Sequence, residues 1–374
     1  MKKFLSLLLA VLMVLSMAAC GATNAPAETA APTEAVTEAA TEAATEAATE
    51  ATEATEASAY PMTVTDMAGR EVTIEAEPQK IVSGYYISSS ACIALGLSDR
   101  MVAVEDKADK RPIYKLAAPA MAELPMVGTA KEFNLEACLA AEPDLVILPM
   151  KQKDTAATLA EMGIPALLVL PESHEQILEM FTLIGTACNV EENTTALCTY
   201  YSDVLAKIEG LTASIAEEDK AVAYICATSS YLRTAPGQMY QASLLASAGA
   251  IDAAHDIEGN SWVDISYEQL LAMNPDVIIV PTNNFATSTP DFTVEDVLAD
   301  AQLSEVTAVA NGAVYMMPTG FEAWDSPCPS GVLGMLWMVK TLHPELYSAE
   351  EFAADVTEFY ETFYGFTPDT AALN

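Results

Sequence analysis

The hydrophobic pattern of this chain contains one unit that occurs twice. Asn134–Leu148, NLEACLAAEPDLVIL, and Ser266–Val280, SYEQLLAMNPDVIIV, align without a gap. Each has an acid at its third position (Glu136, Glu268), then an apolar turn at helical spacing, a Pro-Asp pair and a run of aliphatic residues. The helix ends before the proline, because the ring disfavours helical backbone at the preceding residue. The aliphatic run is apolar on both faces, as in a buried parallel strand. Helix, Pro-Asp turn and parallel strand, stated once in each half, predict two equivalent α/β lobes.

The same reading extends along the chain. Met62–Ile74 alternates about a Met-Ala-Gly-Arg turn and predicts a hairpin. Strands are expected at Lys80–Tyr85, Arg100–Glu105 and Ala166–Leu170, with helices at Ser89–Leu95, Thr155–Met162 and Ser173–Ala187. Glu191–Glu217 then keeps a 3.6-residue period through Leu197, Tyr200, Tyr201, Val204, Leu205 and Ile208, without proline, which predicts one long helix linking the lobes. Ala221–Ala227 and Val314–Met317 read as strands, and Gly237–Ala250, Ser330–Leu342 and Ala349–Tyr364 as helices. The expected class is α/β: two lobes, each a mainly parallel sheet flanked by helices, joined by one long α-helix. The lobes would span residues 60–189 and 219–374, with the linking helix at 190–218.

The two ends of the composition change this picture. Residues 1–19 combine Lys2-Lys3, an apolar run and small residues before Cys20, the layout of a signal peptide. Ser16-Met-Ala-Ala-Cys20 resembles a lipobox, which would make Cys20 a lipidated N-terminus and anchor the protein to the outer face of the cell membrane. Residues 20–59 are mostly Ala, Thr, Glu and Pro without an aromatic before the fold begins, so they cannot bury a core and read as a tether. From Tyr60 onward fourteen Lys and Arg face forty-five Asp and Glu, a net charge of −31 that repels nucleic acid. The six cysteines after Cys20 lack Cys-x-x-Cys spacing and fall in apolar patterns, which favours buried thiols.

Ligands of parallel sheets bind beyond the carboxyl ends of the strands. The loops there, Thr228–Thr234 among them, hold seven of the fourteen bases between residues 107 and 153, and several aromatics. An anionic, partly aromatic ligand is therefore expected, held by Tyr85, Tyr86, Lys107, Arg111, Lys131, Lys151, Tyr231, Arg233, Trp262 and Trp324. No Gly-x-Ser-x-Gly, P-loop or His-Glu-x-x-His occurs, and the three histidines are scattered, so no catalytic residue or direct metal ligand is predicted. A two-lobe α/β enzyme would need a nucleophile–base pair in the cleft.

Lys80–Ile87 with Ala94-Leu-Gly-Leu97, Asn134-Leu-Glu136 with Pro143-Asp-Leu-Val-Ile147, Gly163-Ile-Pro165 and Ile265–Leu270 with Pro275-Asp276 together resemble one family. It is that of the substrate-binding lipoproteins of ABC importers for iron–siderophore, haem and cobalamin, with helix-linked lobes. The resemblance runs from about Asp66 to the C-terminus. It implies a monomeric extracytoplasmic receptor, with no covalent cofactor, that hands a chelated metal to an ABC permease and its ATPase. It also implies permease docking through Glu136 and Glu268. Ferric siderophore is the leading cargo expectation, with haem, a corrinoid or a molybdate-like oxyanion as alternatives. The Lys107–Lys115 loop and Phe321–Ser330 depart from the cobalamin-binding members and leave the cargo open.

Overall fold

The computed structural model describes residues 59–281, 291–318 and 320–373. The expected signal peptide, Cys20, the tether up to residue 58 and the loop beginning at residue 282 lie outside the described residues.

The chain opens with the antiparallel hairpin β1 (Met62–Thr65) and β2 (Glu71–Ile74). The turn is closed by Asp66, whose carboxylate accepts from the Ala68 and Arg70 amides and pairs with the Arg70 guanidinium at 2.7 Å. The first sheet is wholly parallel. It contains β3 (Ile81–Ser83), β4 (Met101–Ala103), β5 (Leu145–Pro149) and β6 (Ala166–Val169) in the order β4-β3-β5-β6. Around it lie α1 (Tyr86–Ala94), α2 (Pro112–Ala117), α3 (Leu135–Ala140), α4 (Lys153–Glu161) and α5 (His174–Ala187).

The connecting helix α6 spans Glu191–Thr212. It stops five residues before the expected Glu217. Beyond the end of the helix Ile215 lies against Gly249, whose backbone has φ +74. The second sheet is mixed. Its strands are β7 (Val222–Ala227), β8 (Ser230–Thr234), β9 (Ile251–Asp252), β10 (Val263–Asp264), β11 (Val277–Val280) and β12 (Val314–Met316). The order is β10-β8-β7-β11-β12, with β9 beside β7; β8 and β10 run antiparallel to their neighbours. Residues 228–234 were expected as a loop. Most of them instead form β8, whose first four residues are half-buried and which pairs with the two-residue strand β10 on one side. The remaining helices are α7 (Tyr240–Ser247), α8 (Tyr267–Met273), α9 (Val294–Ala299), α10 (Thr307–Ala310), α11 (Gly331–Leu342) and α12 (Ala349–Phe363).

The repeated unit has one structure in both lobes. Asn134 caps α3 by accepting from the Ala137 amide, and Ser266 caps α8 in a reciprocal capping box with Gln269. Asp144 then accepts from the Gln79 and Lys80 amides at the start of β3. Asp276 accepts from the Val222 amide at the start of β7, 2.9 Å away. In each lobe the Pro-Asp aspartate thus ties the entry of one central strand to its parallel neighbour.

One hydrophobic cluster runs through both lobes, combining β3 and β5 with β7, α5, α6, α7, α11 and α12. Leu197, Tyr201, Val204 and Ile208 form the buried stripe of α6. Among the described cysteines, 92, 138, 188, 226 and 328 are buried, Cys198 is half-buried and all are free thiols.

Candidate functional site

A cavity of about 430 Å³ opens between the lobes. The first lobe supplies Tyr85, Tyr86 and Ile87, where β3 passes into α1, and Glu172 ahead of α5. The second supplies Thr228 and Ser229 beyond the end of β7, Arg233 on β8, Met239, Tyr240 and Gln241 at the start of α7, and Trp262 beside β10. Ala323, Asp325, Ser326 and Pro327 form part of its lining from the segment before α11. A larger concavity, about 720 Å³, lies at the amino ends of β5 and β6. Asp144 there is committed to its strand clamp, and the carboxyl-end cleft is the place where ligands of such sheets are held.

Tyr85, Tyr86, Arg233 and Trp262 are therefore brought together as expected, with Tyr85 and Tyr86 edge to face at 5.9 Å. Burial pushes both phenols well above their ordinary pKa, so they act as neutral rings and hydrogen-bonding groups. Arg233 is held loosely, at 3.4 Å from the Trp262 carbonyl and 3.7 Å from the Asp264 carboxylate. Tyr86 donates across the lobes to Ser326, and Ser90 beneath it donates to Glu322.

The other six expected residues lie elsewhere. Arg111 is buried; its guanidinium pairs with Glu105 at 2.8 Å and sits 4.3 Å from the Tyr86 ring centre. It supports the wall from behind, because Glu105, also held by Tyr114 and Ser89, needs a counter-charge. Tyr231 donates to Asp300 at 2.7 Å and packs on Phe292 in the second-lobe core. Trp324 is fully buried. It stacks on Phe321, and its indole N–H donates to Tyr360 at 2.9 Å. Gly334 lets α11 approach it, since a Cβ there would come 2.2 Å from the Trp324 carbonyl. Lys107, Lys131 and Lys151 stand exposed on first-lobe loops and do not line the cavity.

The expected base-rich cleft is thus corrected by the fold. Among the described residues the cavity has one cation, Arg233, against two carboxylates, Glu172 and Asp325. Long lysines on exposed loops keep their hydration and are drawn outward, and charge counting along the sequence does not see this. Sequence reasoning missed Glu172, Met239, Tyr240, Gln241 and Asp325. The Pro236-Gly237 turn, which starts α7 later than expected, is the signal that could have placed Tyr240 and Gln241 at a helix end beside the cleft.

Glu136 and Glu268 are both exposed in the first turns of α3 and α8. Hydrogen bonds from its own amide and from Ser266 hold the Glu268 carboxyl below its ordinary pKa.

Residues 81–319 match the periplasmic binding protein family, so the chain belongs to that family. It is similar to the molybdate-binding protein MolA of Haemophilus influenzae, 24% identical over 83% of this chain and 93% of MolA. The fold of MolA bound to molybdate superposes with a TM-score of 0.72, at 20% identity over 82% of this chain and 99% of that one. A cobalamin-binding protein of Halobacterium salinarum is 22% identical over 78% of this chain and 76% of its own length. An Fe(3+)-citrate-binding protein of Bacillus subtilis is 23% identical over 66% and 75%. The chain is accordingly a substrate-binding protein of the ABC-importer class and not an enzyme. The family is extracytoplasmic and works with a cognate ABC permease. Among the described residues no helix is long and apolar enough to cross a membrane.

Proposed function

We propose that this protein is a receptor, lipid-anchored through Cys20, that captures a metal chelate of the ferric-siderophore class between its lobes and presents it to an ABC permease. The observation that carries this reading is the cavity wall: Tyr85, Tyr86 and Trp262, drawn from both lobes, around Arg233, the one arginine lining it among the described residues. Aromatic faces desolvate an organic chelate shell without needing its charge. With two carboxylates against Arg233, the chelate is neutral or cationic rather than a polyanion. A tetrahedral oxyanion is the second reading, favoured by Thr228, Ser229 and Ser326 near Arg233 and by the similarity to MolA. Asp325 would oppose a dianion there. The lobe limits 60–189 and 219–374, with the helix 190–218, belong to this proposal, as does permease docking through Glu136 and Glu268.

Trp262 lines the cleft whereas Trp324 and Trp337 are buried, so Trp262 is the natural reporter. Saturable fluorescence quenching by a ferric trihydroxamate, lost in Trp262→Phe, is expected, with none from molybdate. Binding of molybdate or a corrinoid without binding of any ferric chelate would refute the reading.

A further inference from the structure

Asp325 and Gln241 meet where the second lobe lines the cleft. The Gln241 side-chain N–H donates to the Asp325 backbone carbonyl at 2.9 Å. That bond orients the amide, because the opposite placement would set two oxygens against each other. It leaves Gln241 Oε1 buried with no hydrogen-bond partner, in a residue only 6% exposed. Asp325 is 7% exposed, and among the described residues no lysine or arginine forms an ion pair with it. Arg233 turns to Trp262 and Asp264 instead. Glu172, from the first lobe, adds a second carboxylate to the same cavity.

A buried acceptor without a donor and a buried carboxylate without a counter-ion both cost stability. Both residues line the ligand cavity, where a bound molecule can supply what is missing. The complement of two acceptors, one of them anionic, is a cationic group with several N–H donors. Neighbouring aromatic faces at Tyr85, Tyr86 and Trp262 favour a cation as well. A bare metal ion is a poorer fit, since no group of three metal-ligating side chains is found among the described residues.

We propose that Asp325 and Gln241 form a subsite for a protonated amine, so that the cargo is a metal chelate carrying an ammonium arm. This rests on the chelate reading given above. Burial raises the Asp325 carboxyl to about 6, opposed by its own amide and by Gln241, which leaves it ionised at neutral pH but ill-compensated until a cation arrives.

The test compares two ferric trihydroxamates identical except that the terminal amine is free in one and N-acetylated in the other. Both are titrated into the full-length protein at pH 7.5. The free amine is expected to bind at least about ten-fold more tightly, the scale of one charge-assisted contact. In Asp325→Asn the ratio of the two affinities should fall towards one. Equal affinities in the unaltered protein overturn the subsite and leave the chelate reading standing. Binding of neither chelate overturns both. A preference that survives Asp325→Asn removes the assignment to this carboxylate. The comparison in the unaltered protein decides the first two outcomes even where a variant folds poorly.

Discussion

Asp325 shows how one residue can serve binding at the expense of stability. Its folded pKa, about 6, lies above the ordinary 3.8 because burial penalises the charged form. A carboxyl raised in this way contributes stability that is fully present below about pH 3.8 and is lost as the pH rises through about 6. Asp325→Asn should therefore stabilise the protein at pH 7.5 by about 1–3 kcal/mol and bring no gain at pH 4. Urea unfolding at the two values measures this, and equal effects at both would show that the carboxyl is not desolvated. Arg111 presents the opposite case. Removing it as Arg111→Met leaves Glu105 buried without its ion-pair partner, at an expected cost of about 3–5 kcal/mol. Tyr86 would lose the guanidinium behind it, so cargo affinity should fall in the same variant although Arg111 does not line the cavity. Unfolding and titration of one preparation check both parts.

At the scale of elements, the repeated unit combines a structural and a solvent-facing role. Its aspartates hold strand entries together; its glutamates face solvent in equivalent first turns. Asp144→Ala should cost about 0.5–1.5 kcal/mol, since two solvent-reachable backbone amides of the first lobe exchange their carboxylate acceptor for water. Asp276→Ala should cost less, with one such bond. A chemical denaturation series ranks the two. Reversing Glu136 and Glu268 together to Lys should leave melting and cargo binding nearly unaltered while cargo-stimulated ATP hydrolysis in the reconstituted importer collapses, because like charges would then meet at the docking surface. Normal transport by the double variant would leave these glutamates no role beyond their helix ends. Element types were legible where the periodicity was strong, as in α5, α11 and α12, whose observed limits fall within a residue of the expected ones. They were not legible at β8, because an antiparallel strand with little apolar alternation is recognised only through its partners.

For the whole molecule the decisive feature is the continuous core. The buried stripe of α6 packs between α5 and α11, and polar bonds from Tyr86 and Ser90 reach the segment before α11. Opening the cleft widely would expose that stripe, so closure on cargo should be a small hinge movement. Small-angle scattering should show no resolvable change in radius of gyration when the cleft fills; a large contraction would mean that α6 bends. The sequence by itself determined the two α/β lobes, the helical link and the absence of a catalytic motif, because these depend on local periodicity, turn chemistry and residue type. It also placed Tyr85, Tyr86, Arg233 and Trp262 near strand ends. Only the tertiary structure decided which loop residues converge. Phe321–Ser330 looks like an aromatic binding loop in one dimension, yet Phe321 and Trp324 turn into the core while Asp325 and Ser326 remain at the cleft. Burial is a property of what packs against a residue, and for this segment the partners are α11 and α12, which follow it in the chain.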